Sequence, residues 1–253
     1  MNDGGPTMTD NDTAFLSRAE LLLGRETMDA LSRTRVILFG TGGVGSWCAE
    51  SLVRSGIGHL TLVDFDRVNA SNVNRQMMAT SQTLGEVKVE ALRRRLLDIR
   101  PDVRITTVPE MYTPDTAGTF DLDSYDYVVD AIDSLDHKAL LIRKACASKA
   151  TLFSSMGAAR KLDPTKVAVA EFWKVKGCPL GAALRRKFRQ TGDLPVRKFQ
   201  CVYSEEVVPN HRPADATGEL ATANGSLMHI TAVFGCTLTS LILRDILQKS
   251  GAD

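Results

Sequence analysis

Short apolar runs alternate with helix-like stretches through the first 155 residues of the chain. The runs that predict strands are RVILFG (35–40), HLTLVD (59–64), VRITTV (103–108), YDYVVDAI (125–132) and ATLFSS (150–155). The stretches with helical spacing between them are 44–55, 84–99 and 135–148. Strands that alternate with helices are typical of a parallel sheet covered by helices. The pattern predicts an α/β fold with a Rossmann-like, mostly parallel sheet.

The pattern changes after residue 155. Residues 161–173 predict extended segments around an Asp-Pro turn, 179–190 predict a helix and 199–205 another strand. The polar stretch 210–226 predicts a mobile loop, and the apolar stretch 227–247 predicts a closing helix. We therefore expect the sheet to continue into a C-terminal elaboration.

The length of 253 residues suits one large domain. Residues 1–13 are polar and predict a disordered tail, while 14–253 predict a single domain. Within that domain we expect a nucleotide-binding part at about 14–155 and a substrate-side elaboration at about 156–248. The stretch 227–247 contains His229, Arg244 and Asp245, so we predict a buried helix packed on the sheet and no membrane span.

The composition narrows the setting of the protein. The net charge of +1 gives no global attraction to nucleic acid or membrane, so any basic surface must be local. The 5 cysteines include no C-x-x-C pair, and their odd number argues against a disulfide framework. The 4 histidines show no metal-ligand spacing. These features predict a cytoplasmic protein.

A glycine-rich turn joins the first strand to the first helix of the predicted sheet. Gly40, Gly42 and Gly45 satisfy G-x-G-x-x-G in this strand–turn–helix context, which is typical of nucleotide binding. A P-loop is excluded because Ser46, and not lysine, follows Gly45. Asp64 ends the second strand, where a carboxylate accepts from a ribose hydroxyl. The glycine motif taken alone favours NAD or FAD.

The charges that follow favour a triphosphate. VDFDRVNASNVNRQ (63–76) comes directly after the second strand, and Lys88 begins the next helix. Asp130 and Asp133 end the fourth strand and are predicted to face the same crevice. Hydride transfer needs none of these charges, whereas phosphates need cations, and a strand-end carboxylate can hold Mg²⁺ on them.

The ordered set GTGGVGS, VDFD, SNVNRQ, GEVKVEAL and DAIDS resembles the ThiF, MoeB and ubiquitin-activating superfamily of adenylating enzymes. The resemblance implies ATP, from which AMP is transferred to a carboxylate. It implies that Asp64 binds the ribose and that Asp133 coordinates Mg²⁺. Further residues would cradle the nucleotide or contact its phosphates: Gly40, Gly42, Gly43, Gly45, Asn72, Arg75, Gln76 and Lys88. An arginine ahead of the first strand, Arg18 here, would reach the phosphates across a homodimer interface.

The remainder of the chain is similar to one branch of that superfamily, the tRNA threonylcarbamoyladenosine dehydratases. The similarity lies in MGAARKLDPTKVAVAEFWKVKGCPLGAALRRKFR, CVYSEE and the closing helix. It implies adenylation of the threonyl carboxylate, followed by attack of the neighbouring carbamoyl group with release of AMP. No protein nucleophile is needed, so Cys178 is interpreted as structural. The resemblance leaves open whether sulfur-transfer proteins dock.

A tRNA substrate requires a local basic surface, and residues 174–200 provide the candidate. Phe188 and Phe199 interleave with its basic residues, which are Lys174, Lys176, Arg185, Arg186, Lys187, Arg189, Arg197 and Lys198. The other reading of this segment is an ordinary solvated helix face.

Three alternatives stay open on the sequence alone. A sulfur-carrier or ubiquitin-like protein-activating adenylyltransferase shares the ATP motifs, but many such enzymes carry zinc cysteines that this chain lacks. An NAD-binding oxidoreductase is supported only by the glycine motif. A catalytically dead nucleotide-binding scaffold is opposed by the presence of Arg75, Lys88 and Asp133.

Overall fold

The computed structural model describes residues 10–211, 213, 217 and 222–251. Residues 1–9 of the predicted tail and part of the predicted loop 210–226 lie outside the described residues. The first helix begins at Asp10, so residues 10–13, which the sequence predicts to be disordered, are helical. The prediction of a mobile loop is not tested by the described residues.

Seven strands form one sheet in the order β3-β2-β1-β4-β5-β7-β6. The strands are β1 Arg35–Phe39, β2 His59–Val63, β3 Arg104–Val108, β4 Tyr127–Asp130, β5 Thr151–Ser155, β6 Val167–Glu171 and β7 Gln200–Ser204. All neighbours are parallel except β6 and β7, which pair antiparallel at one edge. The mostly parallel Rossmann-like sheet and its C-terminal extension are confirmed.

Seven α-helices are described along the chain. They are α1 Asp10–Leu23, α2 Arg25–Arg33, α3 Gly43–Arg54, α4 Lys88–Ile99, α5 Leu135–Ala147, α6 Pro179–Thr191 and α7 Met228–Ser250. Strands β1, β2, β4 and β5 are almost entirely buried, as expected for parallel strands covered on both faces. Helix α2, which the sequence reading missed, buries only Thr27, Met28 and Leu31.

The closing helix α7 belongs to the core. It is long and apolar enough to cross a bilayer by length and composition, but half of its most apolar window is buried inside the protein. It buries Ile230, Phe234, Leu238 and Ile242. Gly235 allows α7 to approach α3 closely, because a Cβ there would lie 2.6 Å from the Val44 carbonyl oxygen. The prediction of a buried helix is confirmed.

Candidate functional site

A cavity of about 850 Å³ opens at the carboxyl ends of the central strands. Strand β1 lies between β2 and β4, so the strand order reverses here, and such a switch point is where open α/β sheets bind ligands. The wall contains residues that follow β1, β2, β3, β4 and β5 in turn: Gly40, Gly42, Gly43, Asp64, Asp66, Arg75, Gln76, Lys88, Glu110, Tyr112, Asp133, His137, Met156 and Gly157.

The glycines of the β1–α3 turn serve two purposes, which are close packing and an open cavity wall. Gly40 has φ +87°, and a Cβ there would lie 2.7 Å from the Ala131 carbonyl oxygen. A Cβ on Gly45 would lie 1.8 Å from the Gly40 carbonyl oxygen, and Gly45 does not line the cavity. Gly42 lies open, with no atom closer than 3.9 Å to its Cβ position. Gly42 is thus open toward the cavity, whereas Gly45 serves packing. Gly43 also lines the cavity, but a Cβ there would lie 3.0 Å from the Thr231 methyl carbon.

The Asp64 carboxylate is fixed in the cavity wall by three donors. Oδ2 accepts from the Thr41 N–H at 2.7 Å and from the Thr41 hydroxyl at 3.0 Å. Oδ1 accepts from the Asp66 N–H at 2.9 Å. A carboxylate held in this way at the end of β2 suits a ribose hydroxyl. Thr41, which sequence reasoning did not select, aligns it.

Lys88 and Arg75 bring positive charge to the same cavity. Lys88 is 5% exposed, and its ammonium lies 2.7 Å from an oxygen of Asp66. The Arg75 guanidinium donates to the Ser71 carbonyl at 2.8 Å and to the Asn74 side-chain oxygen at 3.0 Å. Such cations stabilise charge that develops on a phosphate.

Three further residues that the sequence predicts to contact the phosphates differ in whether they line the cavity; they are Gln76, Asn72 and Arg18. Gln76 lines it and is 6% exposed, and its side-chain oxygen has no hydrogen-bond partner among the described residues. Asn72 is outside the lining, because its side-chain oxygen accepts from the Asn69 N–H at 3.0 Å in a capping box. Arg18 is exposed on α1 and outside the lining of its own chain. The phosphate contacts of all three stay predictions.

The two acids that end β4 have separate environments. Asp133 is exposed, lines the cavity and makes no hydrogen bond or ion pair within the described part of the chain. Asp130 was predicted to face the same crevice, and that prediction is wrong. It is fully buried, 2.8 Å from the Lys138 ammonium, because its carboxylate is turned into the interior.

The carboxylates that line the cavity fit an Mg²⁺ ion shared with phosphates better than a metal held by protein alone. The described residues contain no group of three or more His, Cys, Asp or Glu side chains that could hold an ion. Mg²⁺ is commonly bound through one or two carboxylates together with substrate phosphates and water. The free Asp133 carboxylate matches that mode.

The segment 174–200 differs from the sequence-based interpretation. Phe188 and Phe199 are 1% and 6% exposed, so the prediction that they interleave with the basic residues on the surface is wrong. Arg197 donates to the carbonyls of Ala145, Cys146, Ser148 and Ala150, which end and follow α5.

Two further basic residues of this segment also have partners. Lys187 pairs with Asp136 at 2.7 Å, and this bond lowers the pKa of the Asp136 carboxyl. Arg185 donates to the Phe172 carbonyl at 3.2 Å. The exposed members without a hydrogen bond or ion pair to the described residues are Lys174, Lys176, Arg186, Arg189 and Lys198. The Arg189 guanidinium lies over the Trp173 ring, 5.6 Å from its centroid. The usable basic surface is therefore smaller than predicted.

The far side of the cavity is less charged. Met156, Gly157 and Ala158 follow β5 there, and Leu180 enters from the first turn of α6. His137 joins them from α5, and it was not selected from the sequence because a single histidine carries no spacing signal. The cavity thus has a charged half beside β1 and β2 and a more apolar half beside β5.

A sequence profile of the ThiF family matches residues 16–252, which is nearly the whole chain. The chain belongs to the ThiF family.

Several relatives of this chain carry the name tRNA threonylcarbamoyladenosine dehydratase. The tRNA threonylcarbamoyladenosine dehydratase of Bacillus subtilis is 39% identical over 191 residues, which cover 75% of this chain and 74% of the relative. The crystal structure of Escherichia coli tRNA N6-threonylcarbamoyladenosine dehydratase, TcdA, in complex with AMP superposes on this chain with a TM-score of 0.88 and is 30% identical in sequence. The match covers 98% of this chain and 100% of the TcdA chain. The same enzyme in complex with ATP gives a TM-score of 0.86, again at 30% identity and covering 98% of this chain and 100% of that chain.

Proposed function

We propose that this protein is an ATP-dependent tRNA threonylcarbamoyladenosine dehydratase. The observation that carries the proposal is the convergence of Asp64, Arg75, Lys88 and Asp133 on one cavity at the switch point of the sheet. Similarity along nearly the whole chain, including the elaboration after β5, supports this substrate over a carrier protein.

In the first step the threonyl carboxylate attacks the α-phosphorus of ATP, and pyrophosphate leaves. Asp64 holds the ribose, and the open backbone at Gly42, with Gly43 beside it in the cavity lining, admits the phosphates. Lys88 and Arg75 offset the negative charge that grows on the α-phosphate during attack. Gln76 adds a phosphate contact from the cavity wall. Asn72 lies outside the lining and would reach the phosphates only once its side chain leaves the capping box.

In the second step the carbamoyl group of the same modified nucleoside attacks the acyl carbon. The bond to AMP breaks, AMP leaves with the former carboxylate oxygen, and the ring closes after loss of one nitrogen-bound proton. No thioester is required, which agrees with the burial of Cys48, Cys146, Cys178 and Cys201. Burial also raises the pKa of Cys146 to about 11, so this thiol is a poor nucleophile at neutral pH.

Asp133 is the residue that would hold Mg²⁺ with the phosphates. The ion supplies neutralisation of triphosphate charge when it is bound. We place the nucleotide-binding part at about residues 14–155 and the substrate side at about 156–248 of a single domain, and we propose a cytoplasmic location.

We also propose a homodimer in which Arg18 reaches the partner's cavity. Helix α1 exposes Phe15, Leu21 and Leu22 at 60%, 84% and 83%, an apolar surface that a second copy would cover. An arginine so far upstream of β1 is more easily delivered across a two-fold axis than to its own cavity.

The test is release of AMP and pyrophosphate from ATP with three substrates in parallel. These are tRNA bearing threonylcarbamoyladenosine, the same tRNA without the modification, and a sulfur-carrier protein that ends in Gly-Gly. We expect both products only with the modified tRNA, whose mass falls by one water. Pyrophosphate release with the carrier alone, with AMP retained on its C-terminal carboxylate, would establish the alternative adenylyltransferase.

Asp133→Asn and Asp136→Asn are matched variants for this assay. Both acids are exposed near the start of α5, but only Asp133 lines the cavity. We expect Asp133→Asn to lose at least about 100-fold in AMP release, since charge neutralisation of several kcal/mol is removed. Asp136→Asn should stay within about threefold of wild type, in keeping with the small worth of a surface ion pair.

A further inference from the structure

A fully buried ion pair lies under the turn that carries Asp133. The side chains of Lys138 and Asp130 are both 0% exposed, with Nζ 2.8 Å from Oδ2. The Ser154 hydroxyl donates to the same oxygen at 2.6 Å. One carboxylate therefore joins the end of β4, the neighbouring strand β5 and the first turns of α5.

Stability does not account for such a pair. Removing two charges from water costs solvation free energy, and apolar replacements of similar volume are often as stable or more so. Lysine and aspartate are almost never fully buried without a specific partner. The other hydrogen bonds of Asp130 and Lys138 indicate the structural role of the ion pair.

Those bonds all go to the turn between β4 and α5. Asp130 Oδ1 accepts from the Ile132 N–H at 3.1 Å, and Lys138 Nζ donates to the Ile132 carbonyl at 2.9 Å. The Lys138 N–H donates to the Ser134 carbonyl at 2.9 Å. Ile132 is thus held on both sides of its backbone, and the next residue along the chain is Asp133.

We propose that Lys138, held by Asp130, is a positioning residue that fixes the turn 131–134 and so aims the Asp133 carboxylate into the cavity. The inference rests on the proposed function, because it takes Asp133 as the residue that holds Mg²⁺ with the phosphates of ATP. Partners that orient a metal ligand commonly matter about 10- to 100-fold for metal affinity.

The experiment measures ATP binding with and without Mg²⁺, independently of turnover, by titration of a fluorescent ATP analogue. In wild type we expect Mg²⁺ to tighten binding. In Lys138→Met the tightening should fall by about tenfold, while affinity in EDTA stays unchanged. The Mg²⁺ concentration for half-maximal AMP release should rise by the same factor, with the KM for tRNA unaltered.

Two further variants separate positioning from folding. Lys138→Met leaves the Asp130 carboxylate buried without its cation, and this variant can therefore fail to fold. The double variant Asp130→Asn/Lys138→Met removes both charges. It is used to measure the effect of Mg²⁺ if the single variant does not fold. Lys161→Met is the matched control. Lys161 is also buried, at 3% exposure, and donates to the carbonyls of Ser204 and Glu206, away from the turn. It should lower the melting temperature without changing the effect of Mg²⁺.

The outcomes are distinguishable. A folded double variant with wild-type Mg²⁺ dependence overturns the inference alone, and so does an equal loss in Lys161→Met, which would indicate general destabilisation. A wild type whose ATP binding ignores Mg²⁺ overturns the assigned role of Asp133 and the inference with it.

Discussion

The ammonium group of Lys88 lies 2.7 Å from the carboxylate of Asp66, and both side chains line the same cavity. Lys88 is buried at the start of α4, whereas the Asp66 side chain is 45% exposed. Loss of the lysine therefore leaves behind a carboxylate that water can still solvate. We therefore expect the Lys88–Asp66 ion pair to matter more for ligand binding than for folding stability.

Lys88→Met should weaken ATP binding by about 10- to 150-fold, the effect of one charge-assisted hydrogen bond to a phosphate. The melting temperature should change little because Asp66 stays hydrated. Isothermal titration with ATP measures the first and thermal unfolding the second. Lys249→Met, which breaks a 2.6 Å pair with Asp245, is the control and should bind ATP normally. Unchanged ATP affinity in Lys88→Met would remove Lys88 from the site.

The strands that carry the site were predictable because the apolar runs of the buried parallel strands are unmistakable. β1 and β2 agree with the sequence within one residue. β4 is shorter than predicted, Tyr127–Asp130, because the chain leaves the sheet at Ala131 to form the turn. Helix α2 was missed because nine residues with three buried positions give too short a pattern.

The side-chain partners were not predictable in the same way. The sequence around Lys138 is typical of an α-helix and does not indicate that the lysine is buried. The ammonium group is buried because α5 packs on β4 and β5. Arg197 caps the end of α5 from about 50 residues away, a pairing that no local pattern records. Residue types and strand ends predict which chemistry is present, but tertiary packing decides which charges are free to perform it.

Gly40 and Gly85 allow a matched test of the glycine turn. Both have positive φ, +87° and +82°, but a Cβ on Gly85 would meet nothing within 4 Å. Gly85→Ala should cost about 1–2 kcal/mol of folding stability from backbone strain and leave ATP affinity unchanged. Gly40→Ala adds a collision with the Ala131 carbonyl, 2.7 Å away, and should both destabilise the fold further and abolish ATP binding.

Denaturant unfolding and nucleotide titration of the same two samples check both effects. If Gly40→Ala binds ATP with the same affinity as Gly85→Ala, ATP binding does not require the close approach of the β1–α3 turn to the β4–α5 turn.

The exposed basic residues near α6 should bind the tRNA backbone. Reversal of Lys174 and Arg186 to Glu should raise the KM for tRNA and lower the slope of log affinity against log salt by about 2, one for each lost phosphate contact. ATP affinity should not change, because neither residue lines the cavity.

The matched control for this surface reverses Arg93 and Arg104, which are exposed on α4 and β3, toward the opposite edge of the sheet. This control should bind tRNA with the wild-type salt dependence. An equal loss in both double variants would mean that net charge, and not the surface beside α6, governs binding.

The thiol of Cys48 makes stability depend on pH in the alkaline range. Burial raises its pKa from 9.0 to about 12. Between these values the unfolded chain loses the proton while the folded protein keeps it, so stability is full below pH 9 and falls as pH rises toward 12. Cys48→Ala lacks this effect, so its stability should gain about 2 kcal/mol relative to wild type between pH 8 and pH 10.5.

Chemical denaturation at pH 8 and pH 10.5 measures that change. Cys236→Ala removes an exposed thiol that contributes less than burial to the raised pKa of Cys48, so it should keep most of the wild-type loss of stability between the two pH values. A constant difference between Cys48→Ala and wild type across the range would contradict the raised pKa.

Arg18 lies on the exposed surface of α1, beside the apolar side chains that a second copy would cover. If it acts on the partner's cavity, Arg18→Ala and Asp133→Asn should each be inactive alone and should complement each other when mixed. In a mixed dimer, the cavity of the Arg18→Ala chain keeps its own Asp133 and receives the intact Arg18 of its partner. The other cavity carries both lesions. Random mixing places half of the chains in mixed dimers with one working site in two, so about a quarter of wild-type AMP release should return. Differently tagged chains, purified as mixed dimers, remove the dependence on mixing and should reach about half. A purified mixed dimer that stays inactive would assign Arg18 to its own chain or to no catalytic role.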